Sequence, residues 1–155
     1  MAKLVDSKGE WAAAIGRTFV AFGSIEHVTV VCLREIPKDS IQRSTSSFRL
    51  TSRIDLLLEL LETHSGDIFE RLAEKLTLAK SMAGTRNLIA HNPLVLDFYE
   101  HADGSYSHKE SIVSLRKERH RITLPELQDF AARSEKLASD LYGCASAAFQ
   151  TLKGA

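Results

Sequence analysis

The sequence predicts an all-α domain, an antiparallel four-helix bundle with a small β-hairpin inserted between the third and fourth helices. Three observations predict it. Apolar and small residues recur at helical spacing through four separate stretches. Residues suited to starting or stopping helices fall at the ends of those stretches: Ser7 with Glu10, Thr123 with Glu126, and Pro37, Gly66 and Pro93. Between Pro93 and Thr123 the pattern shifts to short β-prone runs around an Asp103-Gly104 turn signal. The 155 residues are enough for one domain with a sizeable core. A single domain over 1–155 is therefore expected, with the insertion at about 95–123.

The first helix is expected from a capping box at Ser7 and Glu10 through Trp11, Ile15, Phe19, Phe22, Ile25, Thr29 and Cys32 to about Ile36. Lys38 to Leu50 is polar and serine-rich and reads as a loop. Its Arg43 and Arg49, with Arg53 just beyond, read as solvated residues, with contact to a phosphate backbone as the alternative. Thr51 or Ser52 is the expected cap of the second helix, whose buried face is Ile54, Leu57, Leu58 and Leu61. The third helix starts near Gly66 and carries Ile68, Leu72, Leu76, Ala79 and Ala83 on one stripe. In the insertion, Leu94 to Tyr99 and Ser111 to Leu115 are strand candidates, and His120 to Thr123 is a third. The last helix starts at a Thr123–Glu126 capping box with Pro125 in its first turn, and buries Leu127, Phe130, Ser134, Leu137, Leu141, Ala145, Ala148 and Leu152.

Formal net charge is zero, so no global attraction to nucleic acid is expected and any such binding must be local. Cys32 and Cys144 lie within helical patterns and read as small buried groups, with no disulfide framework and no zinc site. No cofactor and no metal are expected. The N-terminus lacks the apolar run of a signal peptide, and no stretch has the length of apolar residues a membrane span needs, so a cytoplasmic protein is the default. A helix-turn-helix regulator does not fit, because the helices are too long and no short turn joins two short ones.

The chemistry-bearing residues collect at the tail of the third helix. Its buried stripe, continued past Ala83, meets Asn87 and then His91, with Arg86 beside Asn87. Burying such groups costs a few kcal/mol each unless they find partners, so they must line a cleft, meet another subunit or satisfy one another. Pro93 ends the helix and leaves His91 in the last turn, where the helix dipole favours a positive charge. An arginine offers parallel donors to phosphate oxygens and a histidine moves protons near neutral pH, a combination suited to phosphodiester chemistry. The alternative is a helix end with a solvated arginine and a dipole-capping histidine.

The segment Arg86-Asn87-Leu88-Ile89-Ala90-His91 resembles the signature of the HEPN superfamily: an arginine, usually a polar residue next, then a histidine after four to six intervening residues. The resemblance covers the chain in outline and this hexapeptide in detail. It implies a helical bundle that dimerises and often acts as a metal-independent RNase. Arg86, Asn87 and His91 would then be catalytic: His91 as acid or base, Arg86 holding developing charge, Asn87 positioning His91 or the phosphate. A homodimer is expected, since Arg86 and His91 lie about 140° apart round the helix axis and one subunit is poorly placed to aim both at one phosphate. RNA is the candidate substrate, in bacterial defence or a toxin–antitoxin pair, with an antitoxin as candidate protein partner. One departure stands out. A toxin subfamily carries a tyrosine two residues after the histidine, where this chain has Pro93, so modification of such a tyrosine is not expected.

Further candidates lie elsewhere. Glu26 is a candidate orienting partner in the cleft, with His27 on the solvent side. Arg116, Lys117, Arg119 and Arg121 form the most basic run, a candidate RNA-phosphate contact, against the alternative of a solvated sheet edge that discourages aggregation. His101, His108 and His120 are too scattered to indicate a metal site. The second functional expectation is a catalytically silent HEPN-like dimer serving as a scaffold or ligand-sensing module.

Overall fold

The computed structural model describes residues 5–37, 41–45, 47–116 and 120–154, and leaves the side chains of Gln42 and Arg43 undescribed. Among the sequence candidates, Lys117, Arg119 and the side chain of Arg43 therefore lie outside the described residues. The chain runs α1 (Glu10–Glu35), α2 (Gln42–Thr45), α3 (Leu50–Leu61), α4 (Asp67–His91), β1 (Leu94–Glu100), β2 (Tyr106–Val113), β3 (Arg121–Ile122) and α5 (Leu124–Gly154).

Four of these helices surround one core. The α1 helix packs along α5, α5 against α4, α4 against α3, and α3 back against α1. The ring is closed by the periodic apolar stripes: Phe22 and Ile25 from α1, Ile54 and Leu57 from α3, Leu72 and Leu76 from α4, and Leu127 and Leu141 from α5 are all fully buried. Burying a side chain of this size stabilises the fold by about 1.5–3 kcal/mol. The leucine run of α3 splits accordingly, with Leu57 and Leu61 in the core and Leu56, Leu58 and Leu60 half-buried over it.

The all-α expectation is corrected by the segment between α4 and α5. It is a three-stranded antiparallel sheet of order β1-β2-β3, so the fold is mixed rather than all-α with a two-stranded hairpin. Nor is the sheet a decoration. Ile112 sits opposite Leu94 on one side and Ile122 on the other. Ile112 and Ile122 belong to the buried core and Leu94 packs against it, so the sheet closes one end of the helical layer. The turn signal behaves as read: Gly104 takes φ 79°, a left-handed conformation that suits glycine, and Asp103 Oδ1 accepts from Ser105 N at 2.9 Å.

Two helix starts differ from expectation. Ser7 does not cap α1. The carboxylate of Asp6 does, accepting from Trp11 N at 2.9 Å and Ala12 N at 3.0 Å across a left-handed Gly9. Glu110 of β2 then accepts from Asp6 N at 2.6 Å and Trp11 Nε1 at 2.7 Å, tying the start of α1 to the sheet. At α3 neither Thr51 nor Ser52 is the cap; the helix begins at Leu50 behind an extended Arg49. The polar stretch before it also holds the short helix α2. The start of α5 is as read, with Glu126 reaching back to Thr123 N and Oγ1, both at 2.7 Å. Among the described residues no helix is long and apolar enough to cross a membrane.

Candidate functional site

The end of α4 opens onto a cavity of about 1230 Å³, larger than the roughly 300–1,000 Å³ common for small-molecule pockets. Three groups of elements wall it. Helix α4 contributes Arg86, Asn87 and His91; α1 contributes Glu26, and α3 with the residue before it contributes Arg53 and Arg49; the β2–β3 connection contributes Arg116 and His120. Among the described residues four arginines and one carboxylate line it, so this wall is locally cationic in a chain of zero net charge.

The sequence reading of α4 needs one adjustment. The buried line does not continue from Ala83 to Asn87 and His91; it runs through Met82, Ala83 and Ile89, with Arg86 half-buried beside it. Asn87 and His91 sit at the exposed rim. Arg86 is thus the inner residue of the motif and His91 the outer one. The Arg86 guanidinium lies over the Phe19 ring at 5.1 Å, a cation–π contact that supports its flat face. Asn87 Oδ1 accepts from Arg86 Nη1 at 3.2 Å, so the amide steadies the arginine.

Glu26 lines the same cavity. Its Oε1 is 3.5 Å from Arg86 Nη2 and its Oε2 is 3.8 Å from Arg53 Nη2, so one carboxylate is shared by two guanidiniums. Both contacts are long for charge-assisted hydrogen bonds, which run near 2.7–2.9 Å. The Nε atoms of Arg53 and Arg86 are both buried, and neither has an acceptor among the described residues. A guanidinium carries five N–H donors in a fixed fork. Two forks that share one carboxylate loosely leave an excess of positive charge at the cavity wall, which suits a planar or tetrahedral oxyanion. Arg53, read from sequence as more often solvated, is one of the more enclosed charged groups here, its side chain 13% exposed. No local pattern announced this, because α3 meets Glu26 of α1 only through tertiary packing.

Asn92 was not a candidate, yet it builds the cavity wall. Its Nδ2 donates to Leu88 O at 2.7 Å, closing the last turn of α4, and its Oδ1 accepts from Leu115 N at 2.7 Å. That bond docks the β2–β3 connection on the helix end. The sequence cue was an asparagine just before a proline at a helix terminus, a position suited to local backbone bonding.

The basic run divides. Arg116 is exposed and lines the cavity. Arg121 does not: its Nη1 pairs with Asp97 Oδ2 and donates to Ser111 Oγ at 3.0 Å on the sheet, a structural role. His27 is exposed and lines a separate groove between α1 and α5. Cys32 is fully buried, and burial pushes its thiol up to about 12, which makes it inert as a nucleophile. Among the described residues no group of three or more His, Cys, Asp or Glu side chains converges as a metal site would require. In comparisons with known proteins, no family model, no curated protein sequence and no solved structure matches the chain.

Proposed function

We propose that the chain is a metal-independent endoribonuclease of HEPN type, acting as a homodimer. The observation that carries this reading is the paired guanidiniums of Arg86 and Arg53, each with a buried Nε lacking an acceptor, opening onto the same cavity as the exposed imidazole of His91. An RNA phosphodiester would lie against the two forks. The ribose 2′-OH attacks the adjacent phosphorus, His91 moves a proton as base or acid, and Arg86 holds the charge that builds on the non-bridging oxygens. Asn87 and Phe19 keep the Arg86 guanidinium in place, and Glu26 orients Arg86 and Arg53. The resemblance of the Arg86–His91 segment to the HEPN signature supports the assignment and suggests a defence or toxin–antitoxin setting with an antitoxin as partner.

The test is RNA cleavage by purified protein in EDTA. Arg86→Ala and His91→Ala are each expected to abolish cleavage while the protein keeps its fold and dimeric mass. Cleavage at an equal rate by the His91→Ala protein would reject the reading. A second reading is a non-enzymatic dimer in which the cluster is a ligand-sensing or scaffold feature. It is favoured by the contacts Arg86 already makes to Glu26, Asn87 and Phe19. Loss of thermal stability in His91→Ala, with no cleavage by the native protein, is its signature.

A further inference from the structure

Cleavage of RNA through its 2′-OH needs two proton transfers. The proton of the 2′-OH must leave as O2′ bonds to phosphorus, and a proton must reach O5′ as the P–O5′ bond breaks. The products are a 2′,3′-cyclic phosphate and a 5′-hydroxyl, and no other reactant is required. One imidazole at a time does only one of these jobs, so a second acid–base group, from the same protomer or from the paired copy, serves the other.

One end of the sheet brings a second imidazole to the same cavity. Strands β1 and β3 flank β2 and are both antiparallel to it, so they run parallel to each other. The segments that lead into them therefore arrive at the same end of the sheet. His91 lies three residues before β1, and His120 one residue before β3. With strands about 4.8 Å apart, the two leads enter about 10 Å from one another. Two hydrogen bonds hold this arrangement: Leu115 N donates to Asn92 Oδ1 at 2.7 Å, and Ser114 N donates to the carbonyl of His120 at 3.0 Å. Both histidines are exposed, and both line the cavity that holds Arg86.

We propose that His120 is the second proton-transfer group of this site, paired with His91 across the scissile phosphate, so that a single protomer carries both the acid and the base. This rests on the ribonuclease reading above. Among the described residues the charged groups around the pair are Glu26 from α1, Arg49 just before α3, Arg53 from α3 and Arg86 from α4, with Arg116 on the same connection as His120. Glu126 at the start of α5 is held by Thr123 N and Oγ1, both at 2.7 Å. The insertion is thus part of the reaction centre rather than a peripheral basic edge.

The experiment compares wild type, His120→Ala, His120→Asn and His91→Ala in EDTA, on poly(U) and on uridine 3′-(p-nitrophenyl phosphate), across pH 5 to 9. Poly(U) cleavage is expected to be bell-shaped in pH for wild type, and each His120 variant is expected to lose about 10²-fold or more together with one limb of the bell. The p-nitrophenyl ester needs no acid for its leaving group. Retained cleavage of it by a His120 variant assigns His120 as the acid, and loss on both substrates assigns it as the base. His120 is exposed, so unchanged thermal melts are expected and would separate chemistry from folding. If His91→Ala abolishes cleavage while both His120 variants keep the wild-type rate and bell, the pairing is overturned and the ribonuclease reading stands. If wild type cleaves neither substrate, both fall together.

Discussion

Two arginine–carboxylate contacts on this molecule differ in geometry. On the α1–α5 surface, Arg17 meets Glu135 one to one and bidentately, Nε to Oε1 at 2.8 Å and Nη2 to Oε2 at 2.5 Å. Both side chains are more than two-fifths exposed. At the end of α4, Arg86 and Arg53 share one carboxylate, Glu26, at 3.5 and 3.8 Å, and each keeps a buried Nε without an acceptor. The first pair is saturated and solvated, and a solvated pair contributes little to stability. The second is undersatisfied beside a partly enclosed cavity, and on the proposed ribonuclease reading an oxyanion there would add charge compensation.

The largest expected difference between the two pairs is in catalysis. Removing a donor that holds developing charge costs about 10²–10³-fold in rate. Arg86→Ala is expected to lose at least that much RNA cleavage, while Arg17→Ala keeps the wild-type rate. Equal losses in a cleavage time course would collapse the contrast.

A smaller effect is expected from Glu26→Gln. This leaves two neighbouring guanidiniums facing a neutral amide, which costs about 1–3 kcal/mol through poorly compensated buried donors. For a chain of this length each kcal/mol lowers Tm by about 2–4 °C. Added inorganic phosphate is expected to restore more Tm in the variant than in wild type. A variant that ignores phosphate in differential scanning fluorimetry would mean that the cavity does not recognise oxyanions.

The smallest effect concerns pH. The hydrogen bond from Arg17, with its charge, holds the Glu135 carboxyl below the ordinary glutamate range. A carboxyl lowered by folding stabilises the fold above its unfolded value, and that contribution is lost as pH falls through its folded value. Glu135→Gln is therefore expected to be slightly less stable than wild type at neutral pH, with the gap closing below the ordinary glutamate range. Urea midpoints measured from pH 7 to pH 3 would show it, and a gap that widens on acidification would contradict the assignment.

Much of the helical layer was legible from the chain alone. The stripes through Phe22, Ile25, Leu72, Leu76, Leu137 and Leu141 give the buried faces directly, since helical spacing is local and the core only accepts its apolar side. The Thr123–Glu126 cap was legible for the same reason, because both partners lie within one turn. The cap of α1 was not, because Asp6 reaches past Gly9 in a turn that Glu110 steadies from the sheet. The sheet was legible as two strands and a candidate third. Its three-stranded form depends on Ile122 finding Ile112 and the core, which no local propensity dictates.

The candidate site divides in the same way. The sequence by itself determined that Arg86, Asn87 and His91 share the last turns of one helix and that Pro93 stops it there, since those constraints act within a few residues. Tertiary structure alone decided that Glu26 stands between Arg86 and Arg53, that Asn92 docks the β2–β3 connection, and that His120 joins His91 at one end of the sheet. Each of these depends on packing between elements that are distant in the chain, where burial and unsatisfied donors, rather than spacing, select the neighbours.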